Sequence, residues 1–344
     1  MNQQLRVILG NSNKRFSGVT STMLQTMSYQ KSLCEIRVLG MHNLPDPSIA
    51  INFRQAVKFC NQSTSPVIFH ARRNDEMIQA LLLKKLCGAN LKILFTSTAQ
   101  RQHSFLTKWL MQEMDAVIST CSAAASYLKD SPAAIIPHGI DTSLYAPARN
   151  KKEAWQATGF PGDYGIGIFG RVRKQKGIDL FINACIENLP KLPGATAIIV
   201  GAIDNKDLVE HCKKMASEAN LQDRIIFTGE LPFDRIPELF RSMSLICALS
   251  RNEGYGLTVL EALASETPVL ATRAGAWPDI LNDQAVGSLA ECDNQSMINQ
   301  QMYALLQNQK NLESMGRSGR ELVLRKYKIE DEAKSLTDFY KSLI

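Results

Sequence analysis

Residues 249–269 read LSRNEGYGLTVLEALASETPV, from Leu249 to Val269. Two carboxylates, Glu253 and Glu261, stand eight positions apart, with Gly254, Tyr255 and Gly256 between them and an apolar helical pattern running on toward Pro268. The glycines let a backbone turn tightly and approach a ligand without the obstruction of a Cβ. A helix opening at Leu257 and Thr258 presents unsatisfied N–H groups and a partial positive charge, which suits a phosphate. Ionised carboxylates only accept hydrogen bonds, so one Glu before the turn and one about two helical turns later can hold hydroxyl groups on either side of that phosphate. The spacing alone carries little, since Glu210 and Glu218 share it. The glycine turn and the strand start at Pro268 give it meaning: the stretch outlines a site for hydroxyls, diphosphate and hydroxyls, the plan of a sugar nucleotide.

Outward from this stretch the chain alternates short apolar runs with polar loops and helix-like segments. The second half contains YGIGIFG, TAIIVGA, RIIFTG, LICALS and PVLAT; the first contains LRVILG, EIRVLGM, PVIFHA, LKILFTST, DAVIST and AAIIPHGI. Such alternation predicts parallel sheets covered by helices. The expected fold class is α/β, two doubly wound Rossmann-like domains facing a central cleft. Residues 1–148 form the first domain and 149–329 the second, with 146–152 as the linker.

Cations stand where such folds bind ligands, at the carboxyl ends of strands. After GIGIFG come Arg171 and Lys176, with Gly177 behind them. Fixed cations there can offset the charge of a departing diphosphate, and Arg can grip it with two hydrogen bonds. The same run matches G-x-G-x-x-G at Gly165, Gly167 and Gly170, but its glycines lie inside the strand rather than opening a helix, so a dinucleotide site is not expected. In the first half, Gly18 follows the first strand and lies where a phosphate can approach the backbone. His70 ends another strand beside Arg72 and Arg73. His103 follows ILFTST within a segment that mixes Arg101, Lys108, Trp109 and Leu110, a composition suited to a headgroup layer or an anionic acceptor.

Composition sets the bounds. The 344 residues are 45% hydrophobic and 21% charged, ordinary for a globular protein of about two domains. No run approaches the ~18–20 apolar residues of a membrane span. The N-terminal strand is too short for a signal-peptide core, so a cytoplasmic protein is expected. Eight cysteines, at 34, 60, 87, 121, 185, 212, 247 and 292, show no paired spacing and read as reduced thiols. Residues 1–148 carry 15 Lys and Arg against 8 Asp and Glu, a formal +7, whereas the remainder is −1. The basic half can face nucleic acid, an anionic membrane surface or a phosphorylated acceptor, of which nucleic acid is not expected.

Taken together, GRVRKQKG, IPHGID and SRNEGYGLTVLEALASETPV resemble the retaining glycosyltransferases of family 4, which have the two-domain GT-B architecture. FHARRNDE, FTSTAQRQHS and FGRVRKQKG resemble most closely the bacterial lipopolysaccharide-core mannosyltransferases. The resemblance implies a nucleotide-sugar donor, GDP-mannose above all, bound by the second domain, and an anionic glycolipid acceptor on the first. It implies a metal-independent, retaining hexosyl transfer at the cytoplasmic face of the inner membrane, with no bound cofactor. It places Glu253 on the transferred sugar, Glu261 on the ribose, and Arg171, Lys176, the Tyr255–Thr258 backbone and the Gly18 loop on the diphosphate. The C-terminal segment 330–344 is expected to cross back to the first domain. Many relatives have a histidine where Thr98 stands, which leaves His70, His103 and Thr98 as alternatives on the acceptor side; Glu266 and Asp279 also depart from the usual residues. UDP-sugar-dependent glucosyl or galactosyl transfer, an epimerase or phosphorylase on the same architecture, and a non-catalytic binding protein are the competing readings.

Overall fold

The apolar runs of the first half become six strands, β1 Arg6–Gly10, β2 Glu35–Leu39, β3 Ala50–Ile51, β4 Val67–Ala71, β5 Leu91–Ser97 and β6 Ala116–Ser119. Those of the second half become β7 Tyr164–Phe169, β8 Ala195–Val200, β9 Ile225–Gly229, β10 Met243–Ala248, β11 Val269–Thr272 and β12 Ser288–Ala290. The computed structural model describes residues 5–14 and 17–344; Arg15 and Phe16, of the stretch expected as the Gly18 loop, lie outside the described residues. Each half forms one parallel six-stranded sheet, ordered β3-β2-β1-β4-β5-β6 and β12-β11-β10-β7-β8-β9. Counted from its own first strand, each sheet has the order 3-2-1-4-5-6. Each therefore reverses direction between its first and fourth strands, at β1/β4 and at β7/β10, and leaves a crevice at their carboxyl ends.

Both faces of such sheets are covered, so their strands read as continuous apolar runs rather than alternating ones. Val7, Ile8 and Leu9 are fully buried, as are Ala197, Ile198 and Ile199. Each buried aliphatic side chain contributes about 1.5–3 kcal/mol relative to exposure, enough in sum to make these sheets the core of each unit. In the first unit Met77, Ala80 and Leu83 cover one face, while Met23, Met27, Leu336 and Tyr340 cover the other.

The compact units are Met1–Gly139 with Ile329–Ile344, and Ile140–Lys328. The division falls at Gly139 rather than after residue 148, because the segment expected as a linker is bonded into the second unit. Its Lys151 ammonium is buried there, donating to the carbonyls of Arg241, Met243 and Glu266 and to Thr267 Oγ1. The last helix, Ile329–Ser342, packs in the first unit. Its Glu332 carboxylate accepts from His138 Nδ1 and from the Gly139 N–H, both at 2.8 Å.

Two strands escaped the sequence reading: β3 and β12, with two and three residues, are too short to show a period. Conversely AAIIPHGI, expected as a strand, makes only isolated bridges, from Ile135 to Ser119 and from Ile140 to Lys328. Pro132 precedes it and Pro137 lies within it, and neither has an N–H to give a ladder. None of the eight cysteines is in a disulfide, and burial pushes the Cys34, Cys60 and Cys212 thiols up to about 11.

Candidate active site

Two loops meet at the carboxyl ends of β7 and β10 in the second unit. The first, 170–177, turns into its helix at Gly177, whose φ of +70° is left-handed and whose missing Cβ would lie 2.1 Å from the Leu249 carbonyl oxygen. The second, 249–256, enters the helix Leu257–Ala264 through Gly256 at φ +85°, where a Cβ would stand 2.4 Å from Trp277 Nε1. Only glycine fits either position, by conformation and by space. Trp277 Nε1 donates to the Gly256 carbonyl at 2.9 Å, and the Ala276 N–H to that of Tyr255 at 3.0 Å, so the turn is braced from beneath.

Arg251 ties the loops together. Its guanidinium grips both oxygens of Asp179 at 2.8 and 2.9 Å, reaches Asp293 at 2.6 Å and donates to the Lys174 carbonyl. The Arg251 N–H bonds the Gln175 carbonyl at 2.8 Å, and Gln175 Nε2 returns a bond of 2.8 Å to the Asn252 carbonyl. This bracing brings Lys176 to Glu253: Nζ lies 2.5 Å from Oε2, which Ser250 Oγ also meets at 3.2 Å. No side chain caps the helix that starts at Leu257. Its first-turn N–H groups thus open beside a lysine, the arrangement that binds a phosphate.

Arg171 stands on the same loop, with Nη1 3.3 and 3.4 Å from the two oxygens of Asp204. That pair is largely exposed, so releasing the guanidinium to a ligand costs no more than ~1 kcal/mol. Glu261, one turn into the helix, accepts from the buried Tyr145 hydroxyl at 3.0 Å. The side chain keeps a partly accessible face while protein crowds the carboxylate, and burial pushes it up to about 7, against the pull of Tyr145 and Lys176. A pocket of about 310 Å³ opens here, lined by Phe169, Gly170, Arg171, Glu230, Thr258 and Glu261. Its size falls near the lower end of the ~300–1,000 Å³ usual for small-ligand sites, room for a nucleoside.

The second unit therefore brings together Arg171, Lys176, Glu253, Gly254, Tyr255, Gly256, Leu257, Thr258 and Glu261. Gly165 and Gly167 serve packing: Cβ atoms there would strike the Trp155 ring at 2.1 Å and the Phe169 ring at 2.8 Å.

The remaining expected residues belong to the first unit. Gly18 opens the helix Gly18–Gln30 behind the Ser17 cap, and a Cβ there would meet open space. His70 is 1% exposed, with Nδ1 2.7 Å from the Tyr340 hydroxyl and Nε2 2.6 Å from Thr96 Oγ1. Burial, reinforced by Arg72 and His138, holds it neutral and well below the usual histidine range. Both ring nitrogens are engaged, so His70 ties β4, β5 and the last helix together as it stands. His103 is half-buried beyond the end of β5, with Nε2 3.3 Å from Ser97 Oγ. Burial and then Arg101 and Lys108 lower its proton affinity, which leaves a neutral ring at physiological pH. Nearby, Arg72 has a buried Nη1 without a hydrogen-bond partner.

Sequence reasoning missed Tyr145, Asp204, Glu230, Arg251 and Trp277. Arg251 alone carried a signal, lying inside the decisive stretch; the others reach the site from distant segments that share no local pattern with it.

Residues 150–322 match the family described as glycosyl transferases group 1. The chain is 36% identical to the lipopolysaccharide core biosynthesis mannosyltransferase LpcC of Rhizobium leguminosarum bv. viciae, over 99% of this chain and 97% of that one. It is 37% identical to the corresponding enzyme LpsB of Rhizobium meliloti, over 99% of each. A glycosyltransferase structure from Rickettsia africae superposes with a TM-score of 0.84 at 17% identity, over 98% of both chains, and shares the GT-B fold.

Proposed function

The chain belongs to the glycosyl transferases of group 1, and from that premise we propose that it transfers mannose from GDP-mannose, with retention at the anomeric carbon, to a lipopolysaccharide core acceptor. The observation that carries the site assignment is Lys176 held against Glu253 at the mouth of an uncapped helix. The transferred mannose and the acceptor class rest on the names of the two rhizobial relatives, and GDP as its carrier rests on the motif resemblance.

In this reading the diphosphate lies on the N–H groups of Leu257 and Thr258. Lys176, with three hydrogens to give, bridges it to Glu253, and Arg171 swings from Asp204 to the phosphate. The free oxygen of Glu253 accepts from the mannose hydroxyls, and Glu261 from the ribose. The anomeric carbon–oxygen bond breaks toward the diphosphate, which takes the electron pair. Its growing charge meets cations already in place, a form of stabilisation stronger in the transition state than in the ground state. The acceptor hydroxyl approaches on the same face, forms the new bond to that carbon and gives its proton to the departing phosphate oxygen. On the first unit, the unpartnered Nη1 of Arg72 suits an anionic acceptor, and the neutral His103 ring suits a hydrogen bond with its hydroxyl. The reaction is proposed to need no divalent metal, since two side-chain cations and a helix terminus supply the positive charge. It takes place at the cytoplasmic face of the inner membrane.

Product analysis tests the reading. GDP-mannose and a core glycolipid should yield an α-mannoside with the donor's anomeric configuration. Transfer from UDP-glucose or UDP-galactose instead would replace the donor assignment, donor consumption without acceptor would favour an epimerase, and an inverted product would exclude the mechanism.

A further inference from the structure

Large hydrophobic side chains are exposed at thirteen described positions, and six of them gather on two neighbouring helical segments of the first unit. On the helix Asn74–Lys85 and its cap, Ile78, Leu82 and Leu86 are 40%, 39% and 77% exposed. Four residues apart, they form one stripe, opposite the Met77, Ala80 and Leu83 that face the core. On the helix Phe105–Gln112, Phe105, Leu106 and Trp109 stand out from the surface, while Thr107 and Leu110 face inward. The two helices lie side by side on the same core, joined by a 2.8 Å bond from Asn74 Nδ2 to Thr107 Oγ1. The other two tryptophans, Trp155 and Trp277, are each 1% exposed, so Trp109 in water is the exception.

Charge borders this crest. Arg101 and Lys108 are exposed beside it, whereas Lys84 and Lys85 are already neutralised by Asp115 and Glu113. On the far flank of the second helix, a groove of about 310 Å³ has Met111, Met114, Val117 and Leu128 in its wall next to Lys108 and Lys129. Apolar side chains with an aromatic at their edge and cations around them match the layering of a bilayer, in which acyl chains lie beneath phosphates.

We infer that this face docks on an anionic phospholipid leaflet. Phe105, Leu106 and Trp109 enter the boundary between headgroups and acyl chains, the Ile78–Leu82–Leu86 stripe extends the contact, and Arg101 and Lys108 meet lipid phosphates. Phe105 follows His103 by two residues, so the docked edge is the one that carries the candidate acceptor-side histidine. The inference rests on the proposed function only in supposing that the acceptor is a lipid.

Vesicle binding by the full chain tests it without any transfer assay. Co-sedimentation and tryptophan emission are compared for vesicles of phosphatidylcholine alone and of phosphatidylcholine mixed with phosphatidylglycerol. Binding to the mixed vesicles with a blue shift in emission is expected, and Trp109→Phe should remove the shift while keeping the binding. The double variant Phe105→Ser/Leu106→Ser should lower partitioning about tenfold or more, with melting temperature and nucleotide binding unchanged. No binding to the mixed vesicles, or equal binding by the double variant, would overturn the inference. A dimer seen by light scattering that the double variant dissolves would overturn it too, assigning the face to a second copy. A chain that docks as described yet transfers no sugar would refute the proposed function and leave the surface standing.

Discussion

The two sheets have one strand order, yet their crevices are furnished in opposite ways. At β7/β10 a lysine and a glutamate face an uncapped helix start. At β1/β4 the equivalent space is filled by the fully buried carboxylate of Glu76. Gly10 makes room for it, since a Cβ there would lie 2.8 Å from Glu76 Cγ. Glu76 accepts from the Arg72 N–H at 2.7 Å, from Arg73 Nη1 at 3.1 Å and from Ser12 Oγ at 3.4 Å. One crevice is closed by its own anion; the other keeps its cations for an anion from outside. Topology provides the place for a ligand, and the side chains decide whether the place is open.

The largest effect should come from emptying the open crevice. Lys176→Ala is expected to lower kcat by about 10²–10³-fold, because it removes a charge needed most in the transition state, with a smaller loss of nucleotide affinity. Steady-state kinetics beside equilibrium binding separate the two, and an unchanged kcat would remove the lysine from the mechanism. Emptying the closed crevice should do the reverse. Glu76→Ala strands the Arg72 N–H and leaves Arg73 only Ser17 and Thr20, and should cost about 3 kcal/mol in urea unfolding without changing donor affinity. A variant of normal stability but impaired donor binding would mean that the first crevice is also a nucleotide site.

Glycines sharpen the contrast at smaller scale. Gly256→Ala forces a Cβ into Trp277 at a left-handed φ and should cost about 2 kcal/mol or more, together with donor binding. Gly18→Ala meets open space and should leave stability within about 0.5 kcal/mol. Both are read by denaturant midpoints, and equal costs would erase the distinction.

A further effect depends on pH. Glu261 is raised in the folded protein to about 7 from 4.5. Such a group contributes stability that is complete below the unfolded value and is lost as pH rises through the folded one. Glu261→Gln, which does not titrate, should therefore gain on the natural protein from about pH 4.5 through 7, by up to about 3 kcal/mol, and hold that gain above. Unfolding midpoints across this range check the sign; a gain that shrinks as pH rises would contradict the buried carboxyl.

What was legible in the sequence was what is local. Glu253, Gly256 and Glu261 lie within nine residues, so their pattern survives without coordinates, and Arg171 and Lys176 sit at a recognisable strand end. Long apolar runs announced ten of the twelve strands, whereas β3 and β12 lack the length to carry a period. His70 reads as a site residue from its position at a strand end, while the Tyr340 hydroxyl that meets its Nδ1 comes from 270 positions away. Tyr145 and Asp204 were invisible for the same reason: each meets its site partner only through the folded chain. The Glu76 plug shows a further limit, since FHARRNDE places acids and bases together without saying that one of the acids points inward.

The most direct test of the central claim is a titration of GDP-mannose, GDP and UDP into the natural protein, Lys176→Ala and Glu76→Ala, followed by thermal unfolding with each variant referred to its own ligand-free midpoint. The guanosine ligands should raise the midpoint of the natural protein and of Glu76→Ala alike, and raise that of Lys176→Ala less. An undiminished rise for Lys176→Ala, or a loss of the rise confined to Glu76→Ala, would contradict the assignment of the open crevice as the donor site.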